Sequence, residues 1–220
     1  MALEYWKCPL GWELMAYDKE VWRATVENGK IPGNMLDEIV PAQYDPDLGH
    51  PGIMHPEAAA AMGALLNTAR EGGHPGLATK YTYRTLAKQW EKWANYQAGG
   101  NLAAYPGTSN HGWAVSVDFT GLTTEVISWL KANAKRFGYV NDVPTEDWHY
   151  TYYGGWTPEE DTVLSDEQLA KIKDSAARWE GLLAYLEASA TDERADPPQN
   201  KPKAFKEGWR AGRILLNRQR

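Results

Sequence analysis

The chain has 220 residues, of which 43% are hydrophobic and 24% charged, and its net charge is -6 at neutral pH. This fits one ordinary globular domain with an appendage, or two small domains, and excludes collagen-like, disulfide-dense and wholly disordered chains. No apolar run is long enough to cross a bilayer. Cys8 is the sole cysteine, so an intrachain disulfide is impossible, and charges among the first 20 residues argue against an export signal.

The first half of the chain is predicted to contain loops, two helices and one strand. Residues 1–50 are rich in turn signals and are expected to form loops with one short helix. A helix should begin after His55 and end at Gly72, since proline stands at its first position and glycine just beyond its end. Alternation predicts a strand over residues 77–83, and apolar spacing predicts a helix over 85–98.

The second half continues with a loop over 101–110, a strand at 115–119 and a helix over 124–137 that ends at Gly138. Residues 148–153 have a strand-like composition. The predicted fold class is α+β, with a small, mainly antiparallel sheet packed by helices and a helical region at the C-terminal end.

The composition changes after residue 160. We predict one domain over 1–160, an amphipathic helix over 161–190, a polar proline-containing linker over 191–203 and a basic amphipathic segment over 204–220. Residues 201–220 carry a charge of +6, which leaves -12 on the other 200. A basic tail on an acidic body favours an anionic partner, while the acidic body itself disfavours nucleic acid.

The strongest chemical signal is a set of two histidines and one carboxylate. His111 and Asp118 stand seven residues apart, and His149 follows thirty-one residues after Asp118. Two imidazoles and a carboxylate are the three protein ligands typical of a catalytic zinc site that keeps one position open. Glu146 is the candidate general base. Because positions 146 and 149 of a regular strand face opposite sides, this role requires Glu146 to lie in a turn after Pro144.

This arrangement resembles the VanY-like family of D-alanyl-D-alanine carboxypeptidases and L-alanyl-D-glutamate endopeptidases, zinc peptidases that cut peptidoglycan stem peptides. The family pattern is S-x-H-x6-D followed by E-x-W-H, and a Y-R-S...Q element precedes it. The resemblance covers roughly residues 20–156 and departs from the family at Ala114 and Ser116, where glycine and alanine are usual. The matching residues are Tyr83, Arg84, Thr85, Gln89, Ser109, His111, Asp118, Glu146, Trp148 and His149.

The resemblance implies a role for each main residue. His111, Asp118 and His149 would bind Zn2+, Glu146 would be the general base, and Arg84 would hold a substrate carbonyl or carboxylate and stabilise the oxyanion. A guanidinium suits that task because its donors form a fixed fork, although Arg84 alone could equally be a structural ion-pair partner. Two further candidate substrate contacts are Ser109, which otherwise bonds within its loop, and Trp148, which otherwise forms core or groove wall.

The resemblance also implies a cellular role. The string at 106–113 looks like phage members of the family, so we expect a bacteriophage endolysin made in the host cytoplasm, or a virion-associated lysin. The bond cut would be L-alanyl-D-glutamate, with D-alanyl-D-alanine as the alternative. Residues 204–220 would contact anionic wall polymers or a membrane surface, or would be only a solvated tail. Two other classes stay open: a non-catalytic metal-containing module, and an iron oxygenase that uses the same ligand types.

Overall fold

The computed structural model describes residues 5–7, 13–15 and 17–156, with scattered helical residues between 167 and 184 and between 203 and 207. The first part consists of short elements. Strands β1 (Tyr5–Lys7) and β2 (Glu13–Met15) pair antiparallel, and helix α1 (Lys19–Thr25) follows. The predicted short helix among loops is thus confirmed, whereas the two-residue strands beyond it were not predicted. They are β3 (Asp37–Glu38), β4 (Tyr44–Asp45), β5 (His50–Pro51) and β6 (Ile53–Met54).

Helix α2 (Pro56–Glu71) is the central buried element. The helix begins after His55 and is followed by Gly72, as the sequence predicts. His55 caps its N-terminus by accepting the backbone N–H of Glu57. Alanine fills many of its buried positions, so neighbouring elements can approach the helix closely. His55, to which the sequence assigned no role, is buried between the rings of Tyr17 and Trp22.

A four-stranded antiparallel sheet packs beside this helix. Its strands are β7 (Ala78–Tyr81), β8 (Ser116–Thr120), β9 (Tyr139–Val140) and β10 (His149–Tyr152), in the order β7-β8-β10-β9. The predicted α+β class with a small antiparallel sheet is confirmed. Tyr150 and Tyr152 are buried in the core. Ala114 precedes β8 and closes a 3-10 turn in a left-handed conformation with φ of 57°.

Two further helices flank the sheet. Helix α3 (Leu86–Gln97) begins at the capping residue Thr85, and α4 (Thr124–Asn133) continues into a 3-10 turn that ends at Gly138. Two tryptophans of α3 contact the 101–110 loop. Trp90 and Trp93 pack edge-on against Tyr105 of that loop, with ring centroids 5.8 and 5.5 Å away.

The C-terminal region is described only in part. The described residues between 167 and 184 are helical, and Arg178 donates hydrogen bonds to the Asn34 carbonyl and to Asp37. The predicted apolar stripe of the 161–190 helix, the 191–203 linker and most of the 204–220 segment lie outside the described residues. Within the part of the chain that is described, no helix combines the length and apolar character needed to cross a membrane.

Candidate metal centre and active site

The register of the sheet brings the first two candidate ligands side by side. His149 on β10 pairs directly with Asp118 on β8, so their side chains lie on the same face of the sheet. The His149 Nδ1 atom lies 2.9 Å from Asp118 Oδ1. Antiparallel pairing therefore joins residues that are thirty-one positions apart in the sequence.

The third candidate ligand comes from a turn that precedes β8. His111 lies in the 3-10 turn Asn110–Trp113, and its side chain is buried. Its Nδ1 atom lies 2.7 Å from the carbonyl oxygen of Thr82, which accepts a hydrogen bond from an Nδ1–H group. That bond selects the tautomer whose Nε2 lone pair is free, and Nε2 lies 3.3 Å from Asp118 Oδ1.

The second nitrogen of His149 also has a supporting residue. Its Nε2 atom lies 3.4 Å from Thr151 Oγ1 and 3.6 Å from Asp142 Oδ1. Asp142 also accepts hydrogen bonds from Thr151, Asn110 and the hydroxyl of Tyr153. Metal-binding histidines commonly present their other nitrogen to such a partner, which fixes the ring orientation. Sequence reasoning missed Asp142, because a lone aspartate in a loop has no local signal.

These three residues form a donor set that could hold a metal ion. One nitrogen of each histidine and one Asp118 oxygen lie within 4.8 Å of one another. Burial, followed by the Arg84 guanidinium, lowers the pKa of His111, which favours the neutral imidazole that binds metals. Burial opposes ionisation of Asp118, but the adjacent His111 and His149 hold the pKa of that carboxyl far below its ordinary value. A neutral imidazole and an ionised carboxylate are the forms that a divalent cation needs.

The donor set opens into a cavity of about 1300 Å3. Glu146, Arg84, Ser109 and Trp148, all singled out from the sequence, line this cavity together with His111, Asp118 and His149. The structure thus brings every predicted site residue to one place. Trp148 is 44% exposed, so it belongs to the groove wall and not to the core. Ser109 is buried, and its carbonyl accepts a hydrogen bond from Asn28.

Glu146 lies in a turn, as its proposed role requires. The turn spans residues 143–146 and is closed by a 2.9 Å hydrogen bond from the Glu146 N–H to the Val143 carbonyl, and β10 begins three residues after Glu146. The Asn141 amide donates to the carbonyls of both Glu146 and His149, at 2.7 and 2.8 Å. One side chain therefore ties the backbone of the candidate base to the backbone of a candidate ligand.

Arg84 lies between two carboxylates at the cavity wall. Its Nε atom is 3.6 Å from Asp47 Oδ2, and one terminal nitrogen is 4.0 Å from Asp118 Oδ2. The side chain is 15% exposed and keeps access to the cavity. An ion pair with Asp47 and a substrate contact are compatible in this geometry, because a guanidinium has five N–H donors.

Gln89 connects the segments that carry these residues. Its amide nitrogen donates to Asn28 Oδ1 and to the Arg84 carbonyl, and its amide oxygen accepts the N–H of Gly107. The backbone N–H of Arg84 donates to the His111 carbonyl at 3.0 Å. Gly112 lies against this network, where any side chain would collide with the amides of Asn28 and Gln89. Gln89 is therefore a positioning residue.

Comparison with known protein families agrees with this arrangement. Residues 52–155 match the family model of VanY, described as D-alanyl-D-alanine carboxypeptidase. Residues 52–155 therefore resemble the VanY-like peptidases. A D-alanyl-D-alanine carboxypeptidase of Enterococcus faecalis (strain ATCC 700802 / V583) is 30% identical to this chain over 171 residues. That match covers 62% of this chain and 60% of the relative, so the chain spans less than two thirds of the relative's length.

Solved structures with similarity to this chain include two of VanY proteins. VanYB in complex with D-alanine-D-alanine is 27% identical with a TM-score of 0.41, and the match covers 60% of this chain and 87% of that one. A point mutant of the vancomycin resistance D,D-pentapeptidase VanY in complex with Zn(II) is 26% identical with a TM-score of 0.41, covering 60% and 89%. The LD-carboxypeptidase LdcB is 22% identical with a TM-score of 0.45, covering 57% and 71%.

Proposed function

We propose that this chain is a zinc-dependent peptidase that hydrolyses a stem-peptide bond of peptidoglycan, foremost the L-alanyl-D-glutamate bond. The observation that supports it best is the meeting of His111 Nε2, His149 Nδ1 and an Asp118 oxygen inside a cavity that Arg84 and Glu146 also line. The family match supports the same class of reaction.

His111, Asp118 and His149 would hold the zinc ion, since each histidine presents one nitrogen to the cluster and is supported at the other. Zinc bound there supplies Lewis-acid polarisation of a carbonyl and lowers the pKa of water. Glu146 accepts a proton from the attacking water and delivers it to the leaving amine. Arg84 donates to the substrate carbonyl oxygen, where negative charge develops during attack.

The decisive experiment incubates the zinc-loaded protein with purified sacculi and identifies the new chain ends by mass. Cleavage of the L-alanyl-D-glutamate bond frees an amino group on glutamate, whereas carboxypeptidase action releases a single alanine. The second candidate, D-alanyl-D-alanine carboxypeptidase, is favoured by the description of the matching family model. If zinc is bound but neither product forms, a non-catalytic module is favoured instead. Iron in the purified protein would favour an oxygenase.

A matched pair of variants tests the role of Glu146. We expect Glu146→Gln to retain zinc and lose at least about a hundredfold in the rate of product release, the usual contribution of a positioned general base. Asp147→Asn is the control, because Asp147 is next in sequence and contacts Lys131 at 2.7 Å. His149→Ala should lose the metal itself. Full activity in Glu146→Gln would remove Glu146 from the mechanism.

We further propose that the protein acts as a bacteriophage endolysin, or as a virion-associated lysin, and that the basic segment 204–220 attracts anionic wall polymers. The charge of +6 on residues 201–220, which include this segment, supports the second part. Sedimentation with cell walls compares the full chain with a variant in which Arg210, Arg213, Arg218 and Arg220 are glutamine. We expect weaker binding by the variant at low salt and no difference at high salt. Equal binding under both conditions would reject this targeting.

A further inference from the structure

A second cation lines the cavity beside the metal cluster. Lys92 on α3 is one third exposed, and its ammonium nitrogen lies 4.9 Å from the centre of the Tyr81 ring. Tyr81 on β7 stands opposite Asp118 on β8 in the sheet register. Lys92 is therefore only one aromatic ring away from the metal cluster, on the side of the cavity formed by α3.

Lys92 and Arg84 share one carboxylate. Lys92 Nζ lies 3.3 Å from Asp47 Oδ1, and Arg84 Nε lies 3.6 Å from Asp47 Oδ2. Asp47 is 11% exposed and is not among the residues that line the cavity, so it contacts both cations from outside the cavity. The other carboxylate near Arg84 is Asp118, which belongs to the metal cluster.

Both cations line the cavity, and the carboxylate that they share lies outside it. Arg84 has Asp118 as a second carboxylate nearby, whereas Asp47 is the carboxylate that contacts Lys92. Lys88, one turn earlier on α3, differs in this respect because it pairs with Glu91 of its own helix at 2.6 Å. A purely structural Lys92 would need only Asp47, but it also lines the cavity, where a bound anion can reach it.

We infer that Lys92 determines substrate specificity by binding a free carboxylate of the substrate, while Arg84 binds the carbonyl of the scissile bond. The inference rests on the proposed function and deepens it. A D-glutamyl residue has two carboxyl groups, of which one continues the stem peptide and the other is free. A free carboxylate next to the scissile bond is the chemical group that the Lys92 ammonium at this wall would recognise.

The test uses two synthetic peptides, L-Ala-D-Glu-L-Lys with the free glutamyl carboxylate and the same peptide with that carboxylate amidated. For Lys92→Met we expect kcat/KM to fall about tenfold on the free peptide, the value of one charge-assisted contact, and to stay unchanged on the amidated one. Lys92→Arg should restore the preference. Lys88→Met is the matched control and should behave as the wild type on both peptides.

A binding measurement separates this inference from the proposed function. Calorimetry with the product-like peptide D-Glu-L-Lys and its amide gives the affinity without any turnover. Weaker binding of the free form to Lys92→Met supports the carboxylate site even if the wild type cleaves nothing, in which case only the proposed function fails. If Lys92→Met loses the same factor in kcat/KM on both peptides, or loses none on either, the proposed role of Lys92 is overturned.

Discussion

The buried histidine at the start of α2 should make the stability of the fold depend on pH. His55 is 1% exposed, accepts the Glu57 backbone N–H at its Nδ1 atom at 3.2 Å, and contacts the rings of Tyr17 and Trp22. Burial lowers the pKa of His55 from 6.5 to about 3. The folded state therefore favours the neutral ring, whereas the unfolded chain protonates it near its ordinary pKa.

The sign and size follow from this difference. The stabilisation is complete above the unfolded pKa of 6.5 and is lost as the pH falls from there towards about 3. The difference between these two pKa values corresponds to roughly 5 kcal/mol of unfolding free energy at low pH, since each pKa unit is worth about 1.4 kcal/mol. At about pH 5 the loss should be about 2 kcal/mol.

The variant His55→Asn tests this effect, because asparagine keeps an acceptor for the helix cap and does not titrate. Urea unfolding followed by tryptophan fluorescence, from about pH 8 to about pH 5, gives the free energy of unfolding of both proteins. Other titrating groups contribute equally to both, so the difference isolates His55. We expect the advantage of the wild type to shrink by about 2 kcal/mol over that range.

The control is Leu66→Val, which exchanges one non-titrating side chain of the same helix for another, so its difference from the wild type should stay constant over the same pH range. A difference between the wild type and His55→Asn that does not change with pH would refute the reasoning. Such a result would mean that the protonated ring is accommodated inside the fold.

Two other predictions concern the supports of the metal cluster. Asp142→Asn should weaken zinc binding about 10- to 100-fold in a competition titration with a chelator while circular dichroism stays unchanged, because the carboxylate beside His149 Nε2 becomes neutral; unchanged affinity would remove Asp142 from the support of His149. Gly112→Ala should cost about 1–3 kcal/mol in urea unfolding, because its new methyl group meets Asn28 and Gln89. Gly76→Ala, where a methyl group enters open space, should be nearly neutral, and equal effects of both substitutions would contradict this account.

The parts of the fold that local chemistry determines could be predicted. Helix α2 begins and ends where His55 and Gly72 indicate, since proline and glycine preferences act within one turn. Helix α3 agrees with the apolar spacing over 85–98 to within one residue at each end. The two-residue strands escaped prediction because such short segments have no periodicity. The C-terminal helix, linker and tail remain predictions.

The candidate site also contains residues that could be predicted from the sequence and residues that could not. Its ligand types were visible in the sequence, because their spacing and their family resemblance act together. The contribution of Asp142 and Asp47 was not visible, since each reaches the site only through tertiary contacts. Asp47 follows a proline in what the sequence showed only as a turn, and its pairing with Arg84 joins residues from separate elements.

The hydrogen bonds that join Arg84, Gln89 and Asn28 to the turn bearing His111 have a consequence for how specificity can be altered. They fix the framework of the candidate site without using the side chains of residues 98–104, which also line the cavity. Segments of this kind tolerate insertion and replacement. Libraries that vary 98–104 in length and composition should therefore retune which peptides enter while leaving the metal-binding framework intact.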